Sequence, residues 1–249
     1  MVCGARIRCD DALMTHALFR AALLFTMLLP LQACGFVYKA EPIQAWVVDA
    51  ETHQPLEGVI VVAHWQLKGG LEGGNPVGQM MVMETVTDAK GRFYFPGWGP
   101  KPRSLKGRLK TRSPGILLFK SGYAYRDLEN ELNNESLRGK LEMPLRSDWH
   151  GKTIEMERFK GTMEAYKNNF ESFNRGLERI AADNPGECGW RKIPNTIRAM
   201  NHERVRLMAH GVNPDTLSSV DRELLMNDDY FTKKGSCGSP KEFFKDIQK

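Results

Sequence analysis

Short apolar runs separated by turn residues fill the chain between about positions 43 and 125. Alternating or continuous apolar residues predict strands over 44–48, 59–63 and 92–95, and further strands that end at Thr87 and Gly122. Between two of these strands, Asp88-Ala89-Lys90-Gly91 predicts a tight turn, because the glycine supplies a positive φ. This part of the chain is therefore predicted to be an antiparallel β domain.

The last third of the chain changes to a helical period. Apolar residues fall three or four positions apart at Met163, Tyr166, Phe170, Phe173, Leu177 and Ile180. This spacing predicts a helix with one apolar stripe that packs inside the same protein. A second helix is predicted from Pro194 to Gly211, because proline suits a first helical turn, and a third over 218–228.

A different apolar run lies near the amino terminus. It covers the 11 residues Ala21–Leu31, about 16 Å as a helix, whereas a hydrocarbon core of about 30 Å requires about 20 residues. Basic residues precede the run and the small residue Ala33 follows it, a layout typical of a secretory signal. We therefore expect residues 1–33 to be a signal peptide, with Met1 or Met14 as the start.

The residues Leu31-Gln32-Ala33-Cys34 resemble the lipobox of bacterial lipoproteins, although Gln32 is larger and more polar than the residue usually found there. The resemblance implies that Cys34 is lipidated and anchors the mature chain to a membrane, with 34–42 as a linker. The protein would then be membrane-anchored in the bacterial cell envelope, facing the periplasm or the cell surface. The alternative is an ordinary buried cysteine in a helix, which Pro30 would interrupt.

Composition and cysteine count agree with an exported globular protein. The net charge is +5 and 41% of residues are hydrophobic, which does not fit a nucleic-acid binder with a dense basic stripe. Of the five cysteines, Cys188 and Cys237 remain once the leader and the anchor are set aside. An oxidising compartment favours a disulfide between them. One alternative to the disulfide is a zinc site, but zinc would need further ligands and no CxxC is present. The other alternative is a free catalytic thiol.

Three segments carry a resemblance to a known family. They are "VVDAETHQPLEGVIVVA", "TVTDAKGRFYFPGW" and "LLFKSGYA", in this order. They look like the carboxypeptidase regulatory-like domain, a seven-stranded antiparallel Greek-key β-sandwich related to transthyretin (prealbumin). The resemblance implies such a sandwich over 43–159, followed by an α-helical region over 160–249. A glycine-rich insert over 68–78 and a basic stretch over 99–115 depart from the family pattern.

The motif residues have structural roles. Asp49 and Thr52 are expected to close the first turn with local hydrogen bonds. Five apolar residues are expected to fill the space between the sheets: Val59, Val61, Phe93, Phe95 and Leu117. None of these is catalytic machinery, and in carboxypeptidases the zinc-peptidase activity belongs to a separate domain. The resemblance therefore implies a protein that is not an enzyme.

The known catalytic motifs are incomplete in this chain. His202-Glu203 begins like the zinc motif H-E-x-x-H, but position 206 is arginine. No G-x-S-x-G sequence occurs, and the glycine-rich insert lacks the Lys-Ser/Thr of a phosphate loop. We therefore expect no catalytic residue, no metal site and no cofactor.

The segment 101–112 contains a candidate basic surface. Its basic residues are Lys101, Arg103, Lys106, Arg108, Lys110 and Arg112, with no acidic residue among them. On an anchored protein, such a loop would attract anionic headgroups or an acidic glycan. The alternative is a loop that serves only solubility.

The sequence favours a non-catalytic, lipid-anchored envelope protein that acts as a protein-binding or structural accessory. One alternative is an envelope hydrolase of peptides or glycans with an unconventional site, involving His150 or His202. The other is a carbohydrate-binding module that uses exposed Trp65, Trp98 or Trp149.

Overall fold

The computed structural model describes residues 37–69, 74–131 and 144–247. The predicted signal peptide and Cys34 lie outside the described residues. The strands are β1 (Val37–Ala40), β2 (Ile43–Asp49), β3 (Ile60–Gly69), β4 (Asn75–Val86), β5 (Arg92–Phe95), β6 (Trp98–Pro102), β7 (Arg108–Leu109), β8 (Gly115–Phe119), β9 (Arg126–Leu128) and β10 (Thr153–Met156). The helices are α1 (Met163–Ala181), α2 (Pro194–Ala209), α3 (Val220–Met226), α4 (Asp228–Gly235) and α5 (Pro240–Phe243).

The strands form two main sheets and a two-stranded ribbon. The large sheet has the order β4-β3-β8-β9, with β7 paired to the end of β3. The small sheet has the order β10-β2-β5, and β1 pairs with β6 as the ribbon. β10 runs parallel to β2, so this edge departs from a purely antiparallel sandwich. A long connection precedes β10, and parallel pairing requires such a connection.

The two sheets enclose an apolar core. β2 alternates between buried and partly exposed residues, so that Ala45 and Val47 face inward. Val59, Val61, Phe93 and Phe95 lie in this core as predicted. The prediction for Leu117 is wrong: its side chain belongs to the second core, on the opposite face of the large sheet. The arrangement is a β-sandwich.

Helices cover the outer face of the large sheet. All five residues of β8 are buried, because Ile116 and Leu118 face the small sheet while Leu117 and Phe119 face the helices. Phe119 stacks on Phe173 of α1 with ring centroids 5.0 Å apart. The predicted apolar stripe of α1 is confirmed as the face that packs on the sheet. Small sheet, large sheet and helices therefore form three layers, and Phe36–Lys249 make up one compact unit.

Two glutamates connect the sheet to the helical layer. The Glu84 side chain on β4 accepts hydrogen bonds from the backbone N–H groups of Asn195 (2.8 Å) and Thr196 (2.6 Å), at the first turn of α2. It therefore caps a helix that has no side-chain cap of its own. Glu187 accepts a hydrogen bond of 2.8 Å from the backbone of Gln79, beside Gly78. Gly78 has φ 137°, which residues with a Cβ atom rarely adopt, and a Cβ atom there would lie 2.1 Å from the Glu187 carboxylate, so a larger residue would force Glu187 to move.

The predicted disulfide between Cys188 and Cys237 is confirmed, with a Cα–Cα distance of 5.8 Å. Cys188 lies between two 3-10 turns after α1, and Cys237 follows α4. The bridge therefore joins the connection between α1 and α2 to the connection between α4 and α5.

Candidate binding surfaces

The first motif turn is built around the carboxylate of Asp49. Its Oδ1 atom accepts hydrogen bonds from the backbone N–H groups of Glu51 (3.0 Å) and Thr52 (3.1 Å). Its Oδ2 atom accepts one of 2.8 Å from the Tyr123 hydroxyl and lies 3.0 Å from Nε of Arg158. The hydrogen bond from Tyr123, followed by that from Thr52, lowers the pKa of Asp49 to about 2. Both oxygens are engaged, so Asp49 holds the fold together and is not placed to act as a base.

The outer face of the small sheet carries two aromatic side chains. Alternation along β2 directs Gln44 and Trp46 away from the core, and the same alternation along β5 directs Arg92 and Tyr94 outward. In the register of these strands, Gln44 pairs with Tyr94 and Trp46 with Arg92. The Tyr94 side chain is 51% exposed.

A groove of about 420 Å³ lies on this face. We call it the outer-face groove; its lining residues are Gln44, Trp46, Asp88, Ala89, Lys90 and Arg92. The adjoining turn requires Gly91, which has φ 68° and lies so close to the Val47 carbonyl that a Cβ atom would be 2.3 Å from that oxygen. The groove thus combines an aromatic ring with groups that can donate and accept hydrogen bonds, a combination found in binding sites.

Asp88 fixes the geometry of the turn at one end of the groove. Its Oδ1 atom accepts hydrogen bonds from the backbone N–H groups of Lys90 (3.0 Å) and Arg92 (2.9 Å), and its Oδ2 atom lies 3.1 Å from Nε of Arg92. The hydrogen bond from the Arg92 backbone is the main cause that lowers the pKa of Asp88. The Arg92 guanidinium is therefore held beside Trp46 at the rim of the groove.

A second cleft, of about 480 Å³, lies between α1 and the large sheet. Its charged lining residues are Asp127, Arg175, Glu178, Arg179 and Asp183. Arg175 donates a hydrogen bond of 2.7 Å to the Ser172 hydroxyl, and Arg179 donates one of 3.3 Å to the Arg175 carbonyl. Ser172 thus contacts a guanidinium and not a base, so the lining residues do not form a nucleophile–base pair.

His64 is a histidine that the fold keeps neutral. Its Nδ1 atom lies 3.4 Å from Oε1 of Gln79, and its ring packs on Gly115, where a Cβ atom would be 2.5 Å from Nε2. Desolvation by burial lowers the pKa of His64 to about 4. The ring is therefore uncharged at neutral pH.

The predicted basic surface is partly neutralised. Lys106 Nζ lies 3.1 Å from Glu187 Oε1, and Lys110 pairs with Glu129. Lys101 lies 6.0 Å above the Trp98 ring. The remaining three basic residues are exposed and form no ion pair with another described residue: Arg103, Arg108 and Arg112.

The tryptophans predicted to bind carbohydrate are not available as a platform. Trp65 and Trp98 are buried and pack edge to face, with centroids 5.4 Å apart. Trp149 is partly buried against the core between the sheets. The prediction is wrong for Trp65 and Trp98, since packing covers both rings, and partly buried Trp149 does not form a flat platform with them.

The histidines of the hydrolase hypothesis are not gathered with catalytic partners. His202 is exposed on α2, and exposed His150 accepts a hydrogen bond of 3.3 Å from the backbone of Gln44. Neither lines the outer-face groove or the cleft beside α1.

Within ranges 37–69, 74–131 and 144–247, no group of three or more His, Cys, Asp or Glu side chains is placed to hold a metal ion. No helix in the same ranges is both long and apolar enough to cross a membrane.

No protein-family model and no curated protein sequence matches the chain. Among solved structures, it is similar to 3-chlorocatechol 1,2-dioxygenase from Rhodococcus opacus 1CP, at 16% identity over 51% of this chain and 62% of that chain, with a TM-score of 0.29. It is also similar to a streptococcal ancillary pilin, at 12% identity over 50% of this chain and 31% of that one, with a TM-score of 0.27.

A third similar structure is the shaft pilin SpaA from Lactobacillus rhamnosus GG, at 13% identity over 51% of this chain and 52% of that one, with a TM-score of 0.23. The chain thus spans less than two thirds of each of these three structures. Matches this distant do not assign an activity or a partner to the chain.

Proposed function

We propose that the protein is a non-catalytic, lipid-anchored accessory of the bacterial cell envelope that binds another envelope protein through the outer-face groove. The observation that carries the proposal is the pairing of partly exposed Trp46 with exposed Tyr94 on a sheet face left uncovered by the helical layer. Aromatic side chains rimmed by polar groups are enriched in the centres of protein interfaces.

We further propose that the sandwich belongs with the carboxypeptidase regulatory-like, transthyretin-related domains. Support comes from the contacts between the motif segments. Asp49 of the first segment accepts a hydrogen bond from Tyr123 of the third, and Gly91 of the second accepts one of 2.8 Å from the Val47 backbone. The residues that suggested the family are thus the residues that join the strands.

The anchor and the compartment rest on the lipobox-like residues that end in Cys34. The disulfide supports export, because such bonds persist in oxidising compartments. Metabolic labelling with a palmitate analogue, comparing wild type with Cys34→Ala, tests this part. We expect label only in the wild type; equal label in both would remove the lipoprotein assignment.

A pull-down from detergent-solubilised envelope tests the binding surface. We compare wild type with Trp46→Ala and Tyr94→Ala, and use Tyr230→Ala as the matched control, because Tyr230 and Tyr94 are both 51% exposed. We expect one reproducible protein partner that Tyr230→Ala retains, and whose recovery falls at least about tenfold with Trp46→Ala in the groove and with Tyr94→Ala beside it.

Recovery of the same partner with all four proteins would refute the groove as the interface. If the wild type instead captured only an envelope glycan, and Trp46→Ala lost it, the groove would be a carbohydrate site.

A further inference from the structure

The ribbon of β1 and β6 brings the start of the described chain to the basic segment. Val37 pairs with Pro102 and Tyr38 with Lys101. Val37 follows Cys34 by three residues, a stretch that spans at most about 11 Å when fully extended. A lipid on Cys34 would therefore hold the segment after Lys101 close to the bilayer surface.

The tip of this segment exposes an apolar side chain among cations. Leu105 has a relative exposure of 106%, the highest of the exposed large hydrophobic residues among those described. Arg103 and Lys106 flank it, and Arg108 follows at the start of β7. A leucine surrounded by basic residues is suited to the boundary between acyl chains and anionic headgroups.

The base of the loop is fixed to the large sheet. Arg108 pairs with Lys68 at the end of β3, and a Cβ atom at Gly107 would lie 2.5 Å from the Lys68 carbonyl oxygen. Lys106 is tied to Glu187 across a distance of 3.1 Å. The loop is thus held in place at both sides of its tip, which favours one defined contact face.

We propose that residues 101–108 form a membrane-contacting loop, with Arg103 and Arg108 against anionic headgroups and Leu105 inserted at the interface. The proposal rests on the lipid anchor at Cys34 and adds a second membrane signal to it. A second signal of this kind strengthens the hold of a lipid anchor and sets the orientation of the protein on the bilayer. In this orientation the β1–β6 ribbon lies next to the membrane.

Co-sedimentation with lipid vesicles tests the loop without the anchor. The chain from residue 34 onward is used with Cys34→Ser, since Phe36–Lys249 make up one compact unit. Vesicles contain phosphatidylcholine alone or phosphatidylcholine mixed with phosphatidylglycerol. We expect binding to the anionic vesicles, weakened about fivefold or more by Arg103→Glu and again by Arg108→Glu. Leu105→Ser should weaken binding to the same vesicles without a change in charge.

Lys160→Glu is the matched control, because it makes the same change of charge at an exposed position next to Phe159, whose backbone N–H donates a hydrogen bond to the carbonyl of Gly122. Gly122 lies beyond Phe119, which pairs with Ile60 at the end of the large sheet opposite the loop. We expect it to leave vesicle binding unchanged. Equal weakening by Lys160→Glu and Arg103→Glu would overturn the proposal, as would equal affinity for both kinds of vesicle. Palmitate labelling of wild type and Cys34→Ala is scored separately, so that loss of the anchor and loss of the loop contact are told apart.

Discussion

The hydroxyl of Tyr123 donates a hydrogen bond of 2.8 Å to the carboxylate of Asp49, which lies 74 positions earlier in the sequence. Both residues are buried, and the contact joins the turn after β2 to the turn after β8. It adds a side-chain contact to the antiparallel pairing of Ile60 with Phe119, which also joins the first and third segments that suggested the family.

Tyr123→Phe should lower the free energy of unfolding by about 1 kcal/mol, because it removes this hydrogen bond. For a protein of this size the melting temperature would fall by about 2–4 °C. Tyr230→Phe is the control, since Tyr230 is half exposed on α4. Thermal unfolding of both variants, followed by circular dichroism, measures the difference. An equal effect of the two substitutions would contradict a specific role for the Asp49 contact.

The same substitution should raise the pKa of Asp49 from about 2 toward 3.8, because the Tyr123 hydrogen bond is the largest cause of the depression. A carboxyl group whose pKa is lower in the folded than in the unfolded state stabilises the fold at pH values above the unfolded pKa. That stabilisation is lost as the pH falls toward about 2. We therefore expect the free energy of unfolding of the wild type to fall as the pH is lowered from 3.8 toward about 2. Carbon-detected NMR titration of the carboxylate measures the pKa directly.

His64 should make the protein less stable in mild acid. Its folded pKa of about 4 lies below the unfolded value of 6.5, so the unfolded chain takes up a proton first as the pH falls. Stability is therefore lost between about pH 6.5 and pH 4. Urea unfolding of wild type and His64→Gln across this range should show a smaller loss in the variant. An equal loss of unfolding free energy with falling pH in both proteins would contradict the role of His64.

Gly78→Ala should destabilise the protein by about 2 kcal/mol, through positive φ and overlap with the Glu187 carboxylate. Gly74→Ala is the matched control, because a Cβ atom there would meet nothing within 4 Å. Urea denaturation of the two variants gives the comparison. A loss no greater for Gly78→Ala than for Gly74→Ala would show that neither the positive φ nor the Glu187 side chain requires glycine at position 78.

Removal of the disulfide should lower the free energy of unfolding by about 4 kcal/mol in the chain-entropy description, because the bridge closes a loop of 49 positions. The test is urea unfolding of wild type and of the Cys188→Ser/Cys237→Ser double variant, each with and without reductant. Reductant should shift the wild-type midpoint and leave the double variant unchanged. An unshifted wild type would contradict the stabilising role.

Much of the strand and helix pattern could be predicted because it depends on local periodicity. Alternation in Ile43–Asp49 and the stripe in Met163–Ala181 each determine which residues face a core. The strand near Thr153 was likewise found as β10. Its parallel pairing with β2 was not predicted, since pairing partners distant in sequence leave no local signal.

The candidate binding face could be predicted only in part from the sequence. Trp46 could have been found, because alternation along β2 places it outward while Ala45 and Val47 face inward. Trp65 was expected to be exposed but is buried, because its position on β3 faces the small sheet. Leu117 was assigned to the core between the sheets and faces α1, because sequence alone did not indicate that helices cover β8.

The burial of β8 on both faces determines how the chain can be divided. A fragment that ends at Phe159 would retain every strand but leave Val62, Val82 and Phe119 without the cover that α1 and its neighbours provide. Such a fragment should aggregate on expression and should not fold as an independent domain, so the chain should not be truncated between its strands and its helices.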